Sequence, residues 1–181
     1  MNVVKTRFAP SPTGYLHIGG ARTALFAWLY AKSNQGACIL RIEDTDKERS
    51  KEEYTKEIIK SFQWLGINFD DEVIYQSNNF DRYNEVINTL IKNGSAYVCN
   101  CSKDRLSELR KTQESTGQNP KYDGKCRELN LERSEETVIR FKFPQEGTTK
   151  FTDIVKGDIE VKNSELDDFI IERTDGAATY N

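Results

Sequence analysis

Residues 7–20, RFAPSPTGYLHIGG, bring together glycine, proline and the chain's single histidine, His17. Such residues favour an irregular loop whose backbone can approach a ligand, and a helix that follows it presents its positive N-terminal end. Phosphate is the natural ligand there, because the ring N–H of His17 could donate to phosphoryl oxygens as charge develops. A lone histidine is more often structural, but the neighbouring Gly19 and Gly20 favour phosphate binding.

Two common nucleotide motifs do not fit this loop. It lacks the Lys of the G-x-x-x-x-G-K-[ST] pattern, and its glycines do not follow the G-x-G-x-x-G spacing. The sequence therefore argues against a P-loop kinase and against a dinucleotide-binding dehydrogenase.

Three cysteines form a second group that could do chemistry. Cys99 and Cys101 are separated by one residue, and Cys126 follows in KYDGKC. Three thiolates and a fourth donor would make a closed tetrahedral zinc site that holds together a segment with little core of its own. Unligated reduced thiols are the alternative. Cys38, inside ACILRI, is expected to be a core residue.

The elements that position these residues follow from hydrophobic periodicity. Residues 3–9 predict a strand, the segment from Ala21 is apolar nearly all round and predicts a buried helix, and ACILRIE predicts a second buried strand ending at Glu43. Further helices are predicted over 50–65 and 81–93, stopped by Gly66 and Gly94. Alternating strands and helices indicate an α/β fold with a doubly wound parallel sheet.

The second half of the chain has a different character. Residues 98–136 are rich in charge and turn-forming residues, with one modest helix over 102–113, and resemble an insertion. The strands predicted beyond it are short and joined by tight turns, which favours antiparallel pairing. They cover 138–143, 150–155, 158–161 and 168–173.

Composition narrows the class of protein. The chain has 181 residues, 36% of them hydrophobic and 30% charged, with a mean hydropathy of -0.71. We expect a globular, cytoplasmic protein without membrane association, because there is neither an apolar run of about 18 residues nor a signal sequence. The net charge of -3 gives no overall attraction to nucleic acid. Two basic groups are either solvated faces or local backbone contacts: Lys103, Arg105, Arg110 and Lys111, and Lys121, Lys125 and Arg127.

The stretch RFAPSPTGYLHIGGARTAL, followed by RIEDTD, closely resembles the opening of class I glutamyl-tRNA synthetases, with Gly20 in the last place of their His-Ile-Gly-His motif. The likeness continues through Cys99-Asn100-Cys101, YDGKCR and DGAATYN. It implies a Rossmann-like catalytic domain that joins L-glutamate to ATP with Mg²⁺ and passes it to tRNA(Glu).

The resemblance also implies roles for residues. His17, Gly19 and Gly20 would be catalytic, and the ATP contacts are implied at Ser11, Pro12, Thr13, Gly14, His17, Gly19 and Gly20. Arg7 would pair with the glutamate side chain, and Glu43 would accept the α-ammonium. Further glutamate contacts are implied at Ala9, Ser11 and Tyr180. The plain alternatives are a surface arginine, an acidic turn at Glu43, Asp44 and Asp46, and a core aromatic at Tyr180.

Some members of the family carry zinc in the inserted segment. Where some show histidine two residues after the last cysteine, this chain has Glu128, which leaves Tyr122 as the implied fourth ligand beside Cys99, Cys101 and Cys126. The implied organisation is 1–97 for the first half of the catalytic domain, 98–166 for an inserted acceptor-stem subdomain with the zinc site, and 167–181 for the return.

A Lys-Met-Ser-Lys-like loop, the second half of the sheet and an anticodon-binding domain are expected in this family but not found in the sequence. We therefore expect an N-terminal fragment with negligible aminoacylation activity alone, from a monomeric parent. Two other functions remain: a glutamyl-queuosine tRNA(Asp) synthetase, and a non-catalytic module that binds zinc and nucleotide.

Overall fold

The computed structural model describes residues 3–179. Its helices and strands are β1 (Lys5–Phe8), α1 (Ile18–Ser33), β2 (Ala37–Ile42), α2 (Glu52–Trp64), β3 (Ile74–Tyr75), α3 (Phe80–Lys92), β4 (Ala96–Cys99), α4 (Lys103–Ser115), β5 (Val138–Phe141), β6 (Thr148–Asp153), β7 (Gly157–Lys162) and β8 (Ile170–Glu172). The helices and long strands predicted from the sequence are confirmed with small shifts at their ends. The sequence analysis missed β3 and β4.

The described residues divide into two units, 3–80 and 81–179. In the first, β1, β2 and β3 form a parallel sheet in that order, which confirms the predicted βαβ arrangement. The division follows the packing of the described residues. The boundaries 1–97, 98–166 and 167–181 concern the organisation of the whole catalytic domain and stay a prediction.

The core of the first unit lies between its sheet and its helices. Alternate residues of β2 are buried, and Leu40 and Ile42 pack with Ile58 and Phe62 from α2. The rings of Phe8 and Phe62 meet edge to face at 5.4 Å between centroids, a geometry that aromatic pairs favour. This packing fixes the end of β1, from which the glycine-rich loop departs.

Helix α1 is less buried than its composition predicts. Ala24 and Ala31 are fully buried against the sheet, whereas Leu25, Phe26 and Leu29 are 41%, 63% and 48% exposed. The expectation of a helix buried all round is therefore wrong for the described residues: small alanines make the contact, and the large side chains point outward.

In the second unit, β4, β5 and β8 form an antiparallel sheet and β6 pairs with β7 as a separate hairpin. This confirms the antiparallel pairing predicted beyond residue 137. Strand β4 is buried along its whole length, and it leads directly into the first two cysteines of the cluster. None of the helices within residues 3–179 is long and apolar enough to cross a membrane.

Candidate active site and metal centre

Backbone hydrogen bonds hold the glycine- and proline-rich loop against the segment after β2. The amide of Glu43 donates to the Pro10 carbonyl at 2.9 Å, and that of Lys51 donates to the Pro12 carbonyl at 3.0 Å. Pro12 is among the largest fully buried side chains. The loop is therefore anchored at the carboxyl ends of two parallel strands, where ligands of doubly wound sheets bind.

His17 is the N-cap residue of α1. Its Nδ1 accepts a hydrogen bond from the Gly19 amide at 3.1 Å, and its side chain is exposed. Because Nδ1 is an acceptor, a neutral ring carries its proton on Nε2. His17 thus presents an N–H donor beside the positive end of a helix whose first turn contains no acidic residue.

A Cβ at Gly19 or Gly20 would require a neighbouring side chain to move. A Cβ on Gly19 would lie 2.9 Å from Cε1 of His17, and one on Gly20 would lie 3.0 Å from Cδ1 of Leu16. Glycine at both positions therefore preserves the ring orientation of His17 and the close packing of Leu16 against the start of the helix.

Arg7 lies in β1, two residues before the loop. It is exposed between the half-buried Thr6 and the buried Phe8, and Thr6 donates to the Ala27 carbonyl at 2.8 Å. Strand alternation therefore turns the Arg7 side chain to the other face of the sheet. Within residues 3–179 its guanidinium has no hydrogen bond or ion pair, which leaves it available to an anion.

The remaining predicted loop contacts differ in exposure. Ala9 and Gly14 are half-buried, whereas Ser11 and Thr13 are exposed. Tyr180, predicted as a further glutamate contact, lies outside the described residues.

The three acidic residues after β2 have different partners. Glu43 is half-buried and pairs with Arg41, its single side-chain partner within residues 3–179. Both carboxylate oxygens of Asp44 accept from Ser77, at 2.8 Å from the amide and 2.6 Å from the hydroxyl. Asp46 caps the following turn, accepting from Nε of Arg49 at 2.7 Å. Asp44 and Asp46 therefore act as the structural acidic turn that was the alternative to a binding role. Glu43 has one carboxylate oxygen left for another donor.

An open cleft of about 380 Å³ lies beside the loop and was not anticipated from the sequence. Pro12, Lys47 and Lys51 contribute to its lining, and so does Ser50, whose buried hydroxyl has no hydrogen-bond partner. No motif marks these residues, since the cleft arises where the loop meets the N-terminal end of α2.

The cysteines at 99, 101 and 126 converge in the second unit, with all three sulfurs within 4.8 Å of one another. The sulfurs of Cys101 and Cys126 are 3.6 Å apart, and the Tyr122 hydroxyl is 3.5 Å from the sulfurs of both Cys99 and Cys101. Zinc with bonds of about 2.3 Å to sulfur requires sulfur–sulfur distances of about 3.8 Å in a tetrahedral site. The cluster therefore fits a tetrahedral metal ion.

Local structure holds the cluster in place. Cys99 ends the buried β4, and Ser102 caps α4 by accepting from the Arg105 amide at 3.3 Å. The Tyr122 amide donates to Asp167 at 3.0 Å, and the Cys126 amide donates to the Tyr122 hydroxyl at 3.0 Å. The cluster is thus built from two segments of the chain, residues 99–101 and 122–126, that the surrounding structure holds in place.

The surroundings move the ionisation of these groups in opposite directions. Burial raises the pKa of the Cys99 thiol, but hydrogen bonds from Tyr122 and the Cys101 backbone, with the charge of Arg140, outweigh it and hold the pKa below its ordinary value. Burial raises the pKa of Cys101 and, more strongly, that of Tyr122. The pKa shifts therefore make Cys99 more easily ionised than Cys101.

Two arginines border the cluster, and the sequence analysis did not single out Arg140. Nη1 of Arg105 lies 3.4 Å from the sulfur of Cys101, and its Nη2 pairs with Asp123. The guanidinium carbon of Arg140 lies 3.9 Å from the ring centroid of Tyr122. Arg140 comes from β5, about 40 residues from Cys99 in the chain, so no spacing rule connects them.

Neither Glu128 nor Cys38 was expected from the sequence to bind a metal ion. Glu128 is exposed and pairs with Lys142 at 2.8 Å, and Cys38 is fully buried in the first unit. Among the basic residues, Arg127 is paired with Asp168 and Lys121 donates to the Ser164 carbonyl at 2.6 Å. Part of each predicted basic group is thus engaged within the fold.

The parallel sheet with a glycine-rich loop leading into α1 is the arrangement of a class I synthetase. Residues 3–181 match the family described as tRNA synthetases class I (E and Q), catalytic domain. The chain therefore belongs to this family.

Its relatives are glutamate–tRNA ligases. Those of Francisella tularensis subsp. novicida and Oleidesulfovibrio alaskensis are each 55% identical over 181 residues. The structure is similar to that of a glutamate–tRNA ligase from Elizabethkingia meningosepticum in complex with its amino acid, with a TM-score of 0.83 and 33% identity over 99% of this chain and 40% of that one. A glutamate–tRNA synthetase from Elizabethkingia anophelis gives a TM-score of 0.84 at 33% identity, over 99% and 41%. The matches cover 99% and 100% of this chain but 39% of both curated relatives.

Proposed function

We propose that this chain supplies the ATP- and glutamate-binding part of a glutamate–tRNA ligase, which forms glutamyl-adenylate and transfers the glutamyl group to tRNA(Glu). The observation that carries the proposal is the geometry of His17. Its Nδ1 is occupied by the Gly19 amide at 3.1 Å, so the ring carries its proton on Nε2 at the N-terminus of α1.

In the proposed first step, the glutamate carboxylate attacks the α-phosphorus of Mg²⁺-bound ATP and pyrophosphate leaves. His17 and the first amides of α1 stabilise the negative charge that develops on the phosphoryl oxygens. Gly19 and Gly20 allow this approach, and Ser11, Pro12, Thr13 and Gly14 shape the loop around the nucleotide. The reaction is mainly a matter of positioning and electrostatics.

Glutamate recognition rests on a separate cation and anion. The unpaired guanidinium of Arg7 would bind the side-chain carboxylate, and Glu43 would accept the α-ammonium through the oxygen that Arg41 leaves free. Ala9, Ser11 and Tyr180 complete the proposed contacts. Glutamine carries no negative charge to pair with the guanidinium of Arg7, so this contact favours glutamate over glutamine.

The proposed metal ion is structural zinc held by Cys99, Cys101, Tyr122 and Cys126. Its support is the convergence of three thiols within 4.8 Å and the Tyr122 hydroxyl at 3.5 Å from two of them. Bound zinc would link segments that are distant in the chain and stabilise the second unit.

A chimaera tests the enzymatic proposal. The aligned segment of the Francisella relative, which is 55% identical, is replaced by these 181 residues. Glutamate-dependent exchange of pyrophosphate into ATP is then measured with tRNA(Glu) present, followed by aminoacylation. We expect exchange that requires glutamate and is lost in His17→Ala. A folded chimaera without exchange would contradict the proposal and favour a non-catalytic zinc and nucleotide-binding module.

The choice of tRNA separates the second enzymatic candidate. The names of the relatives favour glutamate–tRNA ligase over the glutamyl-queuosine tRNA(Asp) synthetase. In this assay, charging of tRNA(Glu) supports the ligase, whereas transfer of glutamate to queuosine-containing tRNA(Asp) alone would overturn it. The chimaera contains the anticodon domain of the recipient enzyme, which influences the choice of tRNA. The protein expressed from the full-length gene that encodes this chain therefore gives a stricter comparison of the two tRNAs.

A further inference from the structure

Arg140 is a buried cation that has no carboxylate counter-ion among residues 3–179. It is 5% exposed, its Nη1 donates to the Asp168 carbonyl at 2.7 Å, and its Nε has no hydrogen-bond partner. Within residues 3–179 its guanidinium forms no ion pair with a carboxylate. A buried charge is strongly disfavoured unless an opposite charge lies beside it.

The nearest candidate carboxylate is already engaged. Both oxygens of Asp168 accept from Arg127, at 2.8 and 2.7 Å, and one also accepts from the Tyr97 hydroxyl at 2.6 Å. The Phe143 amide donates to the other oxygen at 2.9 Å. Asp168 is therefore neutralised by Arg127, and the charge of Arg140 must be matched by something else.

What faces Arg140 is the cysteine cluster. Its guanidinium carbon lies 3.9 Å from the Tyr122 ring centroid, and the Tyr122 hydroxyl lies 3.5 Å from the sulfurs of Cys99 and Cys101. The second arginine of the cluster, Arg105, already pairs with Asp123. Among the described residues that border the cluster, Arg140 thus supplies the positive charge that no carboxylate offsets.

We propose that Arg140 compensates the charge of the metal-loaded cluster, an inference that rests on the proposed zinc site. Three thiolates around a divalent zinc ion carry one net negative charge while Tyr122 stays neutral, and Arg140 offsets that charge without binding the metal. Arg140 is a positioning residue: its buried positive charge lies beside the negatively charged, metal-loaded cluster and so raises the affinity for zinc.

The test measures zinc affinity of the 181-residue chain by competition with a chromophoric chelator. Arg140→Met keeps an unbranched side chain that can fill part of the buried space and removes the charge. We expect its affinity to fall by about 10- to 100-fold, as is common for groups that support metal ligands. Arg140→Lys keeps the charge and should retain most of the affinity. Arg110→Gln, on an exposed position of α4, is the matched control and should match the wild type.

Cobalt substitution shows whether the ligands themselves are intact. Co²⁺-loaded Arg140→Met should keep the thiolate charge-transfer band and the tetrahedral ligand-field bands of the wild type. A purely structural role would instead lower the stability of metal-free and zinc-loaded protein equally and leave the affinity unchanged. Should Arg140→Met fail to fold, the comparison of Arg140→Lys with Arg140→Gln replaces it.

The outcomes separate this inference from the metal site on which it rests. A wild-type chain that binds neither Zn²⁺ nor Co²⁺ overturns the metal site and the inference together. If folded Arg140→Met binds zinc as tightly as the wild type does, the role of Arg140 is overturned and the metal site is kept.

Discussion

The glycine-rich loop and the cysteine cluster are built in opposite ways. The loop exposes its chemical groups: His17 has one ring nitrogen engaged, and Arg7 has no partner within residues 3–179. The cluster buries its groups, with Cys99 and Cys126 each 1% exposed and Tyr122 8% exposed, and surrounds them with hydrogen bonds. An open, partly unpaired site suits a substrate that arrives and leaves, whereas a closed one suits a permanent structural ion.

The difference predicts how each region responds to substitution. A change in the cluster should alter stability and metal content, because its side chains connect segments of the fold. A change in one of the exposed side chains of the loop should leave the fold intact and alter kinetics, because these side chains contribute little to packing. The experiments below test that contrast, beginning with the largest expected effect.

The largest effect is expected for Cys126→Ala. Zinc content should fall from about one ion per chain to nearly none, because three donors do not close a tetrahedral site. With free zinc at about 1,000 times its Kd, the stabilisation lost is about 4 kcal/mol. Metal analysis after purification without chelator measures the first quantity, and hydrogen exchange of peptides from 81–179 measures the second.

Cys38→Ala is the matched control, since Cys38 is a fully buried thiol outside the cluster. It should keep about one zinc ion per chain while weakening the core of the first unit. A folded wild type that contains almost no zinc would contradict the metal site, and the three thiols would then be structural.

Features that depend on residues close together in the sequence could be predicted, and features that depend on residues far apart in the sequence could not. The loop and His17 are local features, so their place between β1 and α1 could be predicted, as could the breaks at Gly66 and Gly94, both of which have positive φ. The convergence of the three cysteines was a hypothesis from their grouping in the sequence, and the family resemblance added Tyr122 as the fourth ligand. Arg140 and the partner of Asp44 could not be predicted, because both depend on contacts between distant residues: Ser77 is 33 positions from Asp44, and Asp168 is 28 positions from Arg140.

Helix α1 shows a limit of composition. An apolar surface all round predicts burial, yet a helix packed against one face of a sheet buries only one stripe of side chains. Here that stripe contains Ala24 and Ala31. The shape of the sheet decides which stripe of the helix is buried. When apolar residues lie all round a helix, the sequence does not show which stripe that is.

The next effect concerns catalysis. In the chimaera, His17→Ala should reduce the rate of glutamate-dependent pyrophosphate exchange by about 100- to 1,000-fold, because a donor to the developing phosphoryl charge is lost. The free energy of unfolding should fall by only about 1 kcal/mol, the usual cost of removing an N-cap acceptor, since the ring is otherwise exposed. Exchange kinetics with a parallel melting curve measure both. A loss of stability as large as the loss of rate would show that His17 is a structural cap rather than a catalytic donor.

A smaller effect is expected for Arg7→Lys. Lysine keeps the charge but loses the two-pronged geometry that matches a carboxylate, so the KM for glutamate should rise by about 10-fold, equivalent to about 1.4 kcal/mol. The KM for ATP should stay constant. Steady-state exchange with each substrate varied in turn measures the two values. Lys5→Arg, at an exposed position two residues earlier in β1, is the control. An unchanged KM for glutamate would show that Arg7 is an ordinary surface residue that does not bind glutamate.

The smallest effect is expected on the outer surface of α1. Leu29→Lys changes a side chain that is 48% exposed, and the free energy of unfolding should change by no more than about 0.5 kcal/mol. Ala24→Leu adds volume where the helix is 0% exposed, and overpacking should cost about 1 to 3 kcal/mol. Both tryptophans, Trp28 and Trp64, lie in the first unit, so their fluorescence during urea unfolding reports this unit selectively. If Leu29→Lys cost as much as Ala24→Leu, the large apolar side chains of α1 would be buried in solution, and the packing of alanines against the sheet would not describe how this helix is held.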